Sequence, residues 1–312
     1  MNLIRAEVSR FFSRRFIQLM LSVLIIVFGI TVFTVMSQSR TPTDEMWQHA
    51  ERTAAQARDN YAPRYDACAA ANPDRLEVCA QYDPAQFVTE RFLYDVFVFH
   101  TRIGDLVMWL AIYLGFFGFL VMASFIGSEL HSGGMTNLLL WRPNRMAVLG
   151  AKFGAAVGLV VAISAIFTAV YVGTFYAIAS STGLVGRVDG YFWADLVGLC
   201  ARANVVGLLM SVLAFAIATV GRHTAAALGG LIGYVVVWEL GVRVVADAIN
   251  AFRGNDAEHL FLSAHVYTWL ARPGTGDRIG DMTWTDSGVL FLVLAIAATA
   301  TAFTTFRRRD LI

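Results

Sequence analysis

The chain has 312 residues, of which 57% are hydrophobic and only 15% charged. Ordinary globular domains carry about 25% charged residues, so the composition leaves no room for a conventional soluble catalytic domain. A net charge of +1 gives no argument for nucleic-acid binding. The basic residues are 23 arginines and a single lysine, Lys152.

Six uncharged apolar runs organise the rest: 16–36, 106–128, 153–179, 203–221, 224–238 and 288–306. A helix crosses a bilayer with about 20 apolar residues. Within hydrocarbon a helix satisfies its own backbone polar groups segment by segment. The fifth run is short and reaches spanning length by continuing through Glu239 to about Val245. The expected fold is therefore all-α, a polytopic membrane protein of six spans in one transmembrane domain over residues 1–312.

In chain order, residues 2–14 come first, with Ile4, Val8, Phe11 and Phe12 on one arc and Ser9, Arg10 and Arg14 elsewhere. Such an amphipathic helix either lies in the interface, aromatics in the acyl boundary, or extends the first span inward. Run 16–36 is too long for a signal-peptide core and lacks a prompt small-residue cleavage site. Residues 37–102 form the largest polar piece. Here 44–59 is helix-prone, 61–84 is loop-like with prolines, and 84–100 is aromatic and helical. Cys68 and Cys79 both lie in this segment. In an exported, oxidising setting they predict a disulfide, and otherwise two free thiols.

After the second run comes the loop 129–145. It reads as a short surface helix, with Met135, Leu138 and Leu139 at helical spacing. Glu129 stands near its start, Arg142 near its end, and Pro143 stops it. Its apolar side can dock on a partner, or it packs on its own bundle or on lipid. Residues 191–202, with Asp195 and Arg202, read as an interfacial helix turning into the fourth span. Asn204 sits near the outer end of that span and can bond across helices. Glu239 and Arg243 are four apart on the fifth span, which makes them a structural ion pair or interface anchor, with Arg243 near enough to the outer end to snorkel, or part of a translocation path. Residues 250–286 read as a re-entrant or interfacial stretch with a loop.

Six spans place both termini on one side. That side carries 11 basic residues: Arg5, Arg10, Arg14, Arg15, Arg142, Arg145, Lys152, Arg222, Arg307, Arg308 and Arg309. The opposite short loops carry five. The positive-inside rule, which discounts loops longer than about 60 residues, makes the termini cytoplasmic and segment 37–102 extracytoplasmic. No H-E-x-x-H or paired C-x-x-C motif occurs, so no metal ligands are assigned. The sole lysine stands between Ala151 and Phe153, which rules out a P-loop ending in Gly-Lys-Ser/Thr.

The block 129–145, with Glu129, Gly134, Met135, Leu138, Pro143, Arg145 and the following Lys152, resembles the permease subunits of type 2 ABC exporters. So does the step 222–229 into the fifth span. The resemblance implies an ATP-driven exporter subunit, without catalytic residues, in a bacterial cell membrane. Its loop would be a coupling helix formed by Glu129, Gly134, Met135, Thr136, Asn137, Leu138, Trp141, Arg142 and Arg145. ATP and Mg²⁺ would bind a separate ATPase subunit, and a second permease chain, identical or related, would complete the path. The long outer segment departs from the compact members. An ATPase-independent transporter or channel, or a membrane anchor or sensor, is the alternative.

Overall fold

The structure is a computed structural model and describes residues 2–73, 76–141, 144–248, 255–271 and 282–308. Arg142, Pro143, Arg253, Arg272, Arg278 and Arg309 lie outside the described residues, as do the side chains of Ile4 and Trp141.

Helices account for nearly all of it. α1 (Asn2–Ser13) stops at Arg14, whose backbone is extended, and α2 (Arg15–Ser37) starts immediately after. The break makes α1 a separate element rather than an inward extension of the first span. α3 (Asp44–Ala71) belongs to the polar segment 37–102 and is followed by short 3₁₀ turns at Leu76–Tyr82, Pro84–Gln86 and Thr89–Phe92. Then come α4 (Phe99–His131), α5 (Gly134–Trp141), α6 (Arg145–Ser181) and α7 (Gly190–Gly221). α8 (Thr224–Gly233) continues as a π-helical stretch, Tyr234–Val242, into α9 (Arg243–Ala248). A 3₁₀ turn at Asn255–Leu260, α10 (Leu262–Leu270) and α11 (Trp284–Arg308) complete the order.

Six of these stretches are long and apolar enough to cross a membrane: α2, α4, α6, α7, residues Thr224–Ala246 and α11. The protein is an all-α polytopic membrane protein. α4 and α7 form its centre. In each, 61% of the apolar window is buried, against 6% in α2 and 6% in Thr224–Ala246, which therefore flank the bundle. Close approach of α4 to α7 depends on small residues, as packing between spans generally does. A Cβ on Gly118 would meet Ser211 Oγ and stand 2.7 Å from the Gly207 carbonyl oxygen.

The two largest apolar clusters run from end to end of the bundle. One gathers Phe11, Ile17, Phe119, Phe125, Met135, Leu149, Phe215 and Phe306 at the end where α1 lies. The other gathers Phe99, Ile103, Leu110, Tyr171, Phe175, Leu199 and Phe291 towards the opposite end.

Several boundaries differ from the sequence reading. The second span runs on to His131, so Glu129 belongs to its last turn and not to the start of the loop helix. α3 passes through Pro63 and the alanine-rich stretch to Ala71 instead of ending near residue 59. Residues 84–100 are mostly 3₁₀ turns and extended chain. There Asp83 caps the first turn by accepting from Ala85 N, and Asp95 adopts a left-handed φ of 57°. Residues 191–202 are continuous with the fourth span, because Asp189 caps α7 at Phe192 N and no break follows. Cys68 and Cys79 are at disulfide distance, their Cα atoms 5.7 Å apart, tying the end of α3 to the following turn.

The α4–α7 contact generates a stability prediction. Gly118→Ala forces a methyl into occupied space, and overpacking of this kind costs about 1–3 kcal/mol. Gly158→Ala, on α6 with no neighbour within 4 Å, is neutral or slightly stabilising by comparison. Thermal unfolding of the two variants in the same detergent should show a lower Tm for the first only.

Candidate functional site

The lone lysine locates the site. Lys152 lies in the second turn of α6, whose start Asn144 caps by accepting from Ala147 N at 3.1 Å. Its side chain is only 1% exposed. A charge removed from water this completely must be paired and hydrogen-bonded. Two carboxylates supply the partners. Glu7 Oε2, on α1, and Glu129 Oε2, on the last turn of α4, each stand 2.6 Å from Lys152 Nζ. Glu7 is also 1% exposed, one helical turn before the buried Phe11, so the same arc of α1 delivers a carboxylate and a ring.

The remaining oxygens are also occupied. Arg14, at the break between α1 and α2, pairs with Glu129 Oε1 and donates to Ser128 Oγ and, at 3.3 Å, to the Ser124 carbonyl. Arg10 donates to Glu7 Oε1 at 2.9 Å, though with 47% of its side chain exposed it contributes little. Phe125 lies under both inner cations, its centroid 4.9 Å from the Arg14 guanidinium carbon and 5.6 Å from Lys152 Nζ. The result is an alternating chain, Arg10–Glu7–Lys152–Glu129–Arg14, stitching α1, α4 and α6 together.

α5 hangs from this corner. The chain leaves α4 through Ser132 and Gly133, which takes a φ of +72° that favours glycine, and restarts at Gly134. Met135 is buried, and Leu138 and Leu139 pack half-buried on the same core. Gly134, Thr136 and Asn137 are exposed, and Leu140 is 79% exposed. The set read from the sequence is thus divided by the fold. Glu129 faces its own chain, and Met135 and Leu138 hold the helix down. Gly134, Thr136, Asn137 and Leu140 form the outer face. Arg145 is half-buried at the first turn of α6. Of Trp141 the structure describes only the backbone.

The step at 222–229 packs beside this corner. Arg222 ends α7 with a φ of 55°, and His223 Nδ1 accepts from Ala225 N at 2.9 Å to cap α8. The His223 ring stands 4.3 Å from that of His131 at the end of α4.

The three residues considered for a path are not brought together as a group. Asn204 bridges α7 to α6, donating to Thr168 Oγ1 at 3.1 Å and to the Cys200 carbonyl at 2.8 Å. Of the alternatives for Glu239 and Arg243, the ion pair with each other does not form. Arg243 pairs with Glu258 at 3.0 Å and covers the Phe261 ring at 4.4 Å. Glu239 instead accepts from Tyr234 Oη at 2.8 Å, five residues back, a pairing suited to i→i+5 turns. It also accepts from Ser263 N at 3.0 Å and Ser263 Oγ at 2.7 Å. It therefore caps α10, a favourable place for a carboxylate.

The sequence reading missed Glu7, Arg14 and Ser128, and missed the electrostatic role of Lys152. A single lysine beside an apolar span was the available signal, since such a charge demands a partner. Among the described residues, no three His, Cys, Asp or Glu side chains converge as a metal site requires. No protein-family model matches the chain, and no curated protein sequence matches it.

Removing one member of the cluster strands its partner. Lys152→Met leaves Glu7 buried without its main counter-charge and should cost about 3–5 kcal/mol. Adding Glu7→Leu removes the stranded charge and should recover much of the loss, giving a large favourable coupling energy. Equal, additive losses in detergent unfolding would show that the two residues are not coupled.

Proposed function

We propose that the chain is the transmembrane subunit of an ATP-driven exporter and that α5 is the surface through which a separate ATPase subunit moves it. One observation carries this reading. α5 buries Met135, Leu138 and Leu139 in its own bundle yet leaves Thr136, Asn137 and the 79%-exposed Leu140 uncovered. An apolar residue so exposed at the tip of a well-anchored helix suits a partner's groove. The anchoring supplies the mechanics. Because Lys152 and Arg14 bind Glu129 at the root of α5, a force on the outer face passes to α1, α4 and α6 together.

The resemblance of 129–145 and 222–229 to type 2 exporter permeases supports the same reading. ATP and Mg²⁺ would then sit on the partner subunit, and a second permease chain would complete the path. The excess of arginine at the α1 end supports a cytoplasmic location for both termini in a bacterial cell membrane. Rigid bundles would rock as the ATPases close, with binding energy on α5 biasing the two orientations.

The test joins location to partnership. Thr136→Cys in a Cys200→Ser background should react with an impermeant maleimide only after intact cells are opened. Affinity purification of the wild type from native membranes should recover a P-loop ATPase with nucleotide hydrolysis in the eluate. Leu140→Asp should lower that recovery about tenfold, the effect of losing roughly 1.4 kcal/mol at an interface, without changing Tm. Labelling in unopened cells, or full ATPase recovery with Leu140→Asp, would overturn the proposal.

A further inference from the structure

At the opposite end of the bundle from α1, segment 37–102 overhangs a half-open cavity of about 400 Å³. This is within the size range of small-ligand sites, about 300–1,000 Å³. α3 provides one wall. Trp47, Glu51 and Arg58 fall on one arc of the helix, beside the fully buried Ala50 that lets it approach Leu93, Val96 and Val98 closely. The turn carrying Val88, Thr89 and Glu90 provides the second wall. Val98 and His100 form the floor with Gly186 and Arg187.

The floor is firmly built. Phe99 N donates to the Leu184 carbonyl and Leu184 N to the Phe97 carbonyl, each at 2.9 Å, and His100 N reaches the Val185 carbonyl at 3.2 Å. Gly186 has a φ of +75°, and a Cβ there would lie 2.9 Å from His100 Cβ. The His100 ring in turn stacks on Phe192, with centroids 5.0 Å apart. These contacts fix the loop that presents Arg187.

Charge distribution is the informative feature. Two carboxylates, Glu51 and Glu90, and two guanidinium groups, Arg58 and Arg187, line one cavity. Yet among the described residues none of the four forms an ion pair. Among the described residues, Arg58 bonds through Nε, which donates to the Phe87 carbonyl at 2.9 Å. Glu51 and Arg58 stand two turns apart on α3, and Glu90 and Arg187 come from two other parts of the chain, so unpaired charges of both signs leave room for a molecule that bears both signs.

We propose that this cavity binds a compact zwitterion, an ammonium and an anionic oxygen group a few ångströms apart. The ammonium goes to Glu51 and Glu90 with the face of Trp47 beside them. The anionic group goes to Arg58 and Arg187, whose planar forks match a carboxylate or phosphate. A free amino acid and the headgroup of an ethanolamine phospholipid share this chemistry. The site stands apart from α5 and does not depend on the transport reading.

The experiment uses the full chain in nanodiscs of phosphatidylglycerol, titrated calorimetrically with L-alanine and with O-phosphoethanolamine. Acetate and ethylammonium serve as singly charged controls. At least one zwitterion should bind saturably and at least about tenfold more tightly than either control, because only it satisfies both pairs of charges. Arg187→Ala and Glu90→Gln should each weaken it about tenfold. Repeating the titration in phosphatidylethanolamine nanodiscs distinguishes the sources. Loss of binding there assigns the site to a lipid headgroup, and unchanged binding assigns it to a free solute. Either outcome supports the site. No saturable binding by either zwitterion, or equal binding by acetate or ethylammonium, would overturn it in the wild type, whatever the variants do.

Discussion

Burial of one ammonium group governs the architecture at the α1 end. Lys152 has no access to water, and its two carboxylate partners arrive from helices far apart in sequence, Glu7 at a separation of 145 residues. Leaving either carboxylate without its cation is unfavourable by several kcal/mol, whereas the complete set roughly offsets its desolvation. The arrangement therefore contributes more to which helices meet, and in what register, than to net stability. α1 cannot slide along α6 without separating Glu7 from Lys152. α4 cannot turn about its axis without withdrawing Glu129 from both of its cations.

The constraint explains why α5 is well placed despite its length. Eight residues do not form a stable helix alone. Here the first turn follows directly from a pinned α4, and the buried Met135 secures it from below. The far end of the molecule is held differently. Glu239, Tyr234 and Trp238 of the fifth span bond to Ser263, Leu262 and Leu260, so polar contacts rather than extensive apolar burial hold α10 against that span. One end is organised by enclosed charge and the other by capping at the ends of short helices.

The spans were legible because hydrocarbon demands long apolar stretches, and all six runs became helices. The cysteine pair was legible from proximity in sequence within one polar segment. Boundaries were less so. Charge at Glu129 looked like the end of a span, yet the helix continues to His131 with Glu129 paired to Lys152 and Arg14. Asp195 and Arg202 likewise suggested a break that does not occur. Arg202 donates to the Trp269 and Ala271 carbonyls while remaining in α7. The apolar side of 129–145 read equally well as a docking face or an anchor, because periodicity reports a buried side without naming what buries it. Glu7 could not be assigned from local pattern, since its partner lies on another helix. The π-helical stretch was equally hidden, which is why a four-residue spacing misplaced Arg243 opposite Glu239.

Lysine scarcity has a practical corollary. Apart from the amino terminus, the folded protein offers acylating reagents a single primary amine, and that amine is sealed beneath α1. Its reactivity is a built-in reporter: modification at position 152 would register each departure of the amino-terminal helix from the bundle, in native membranes and without any introduced label.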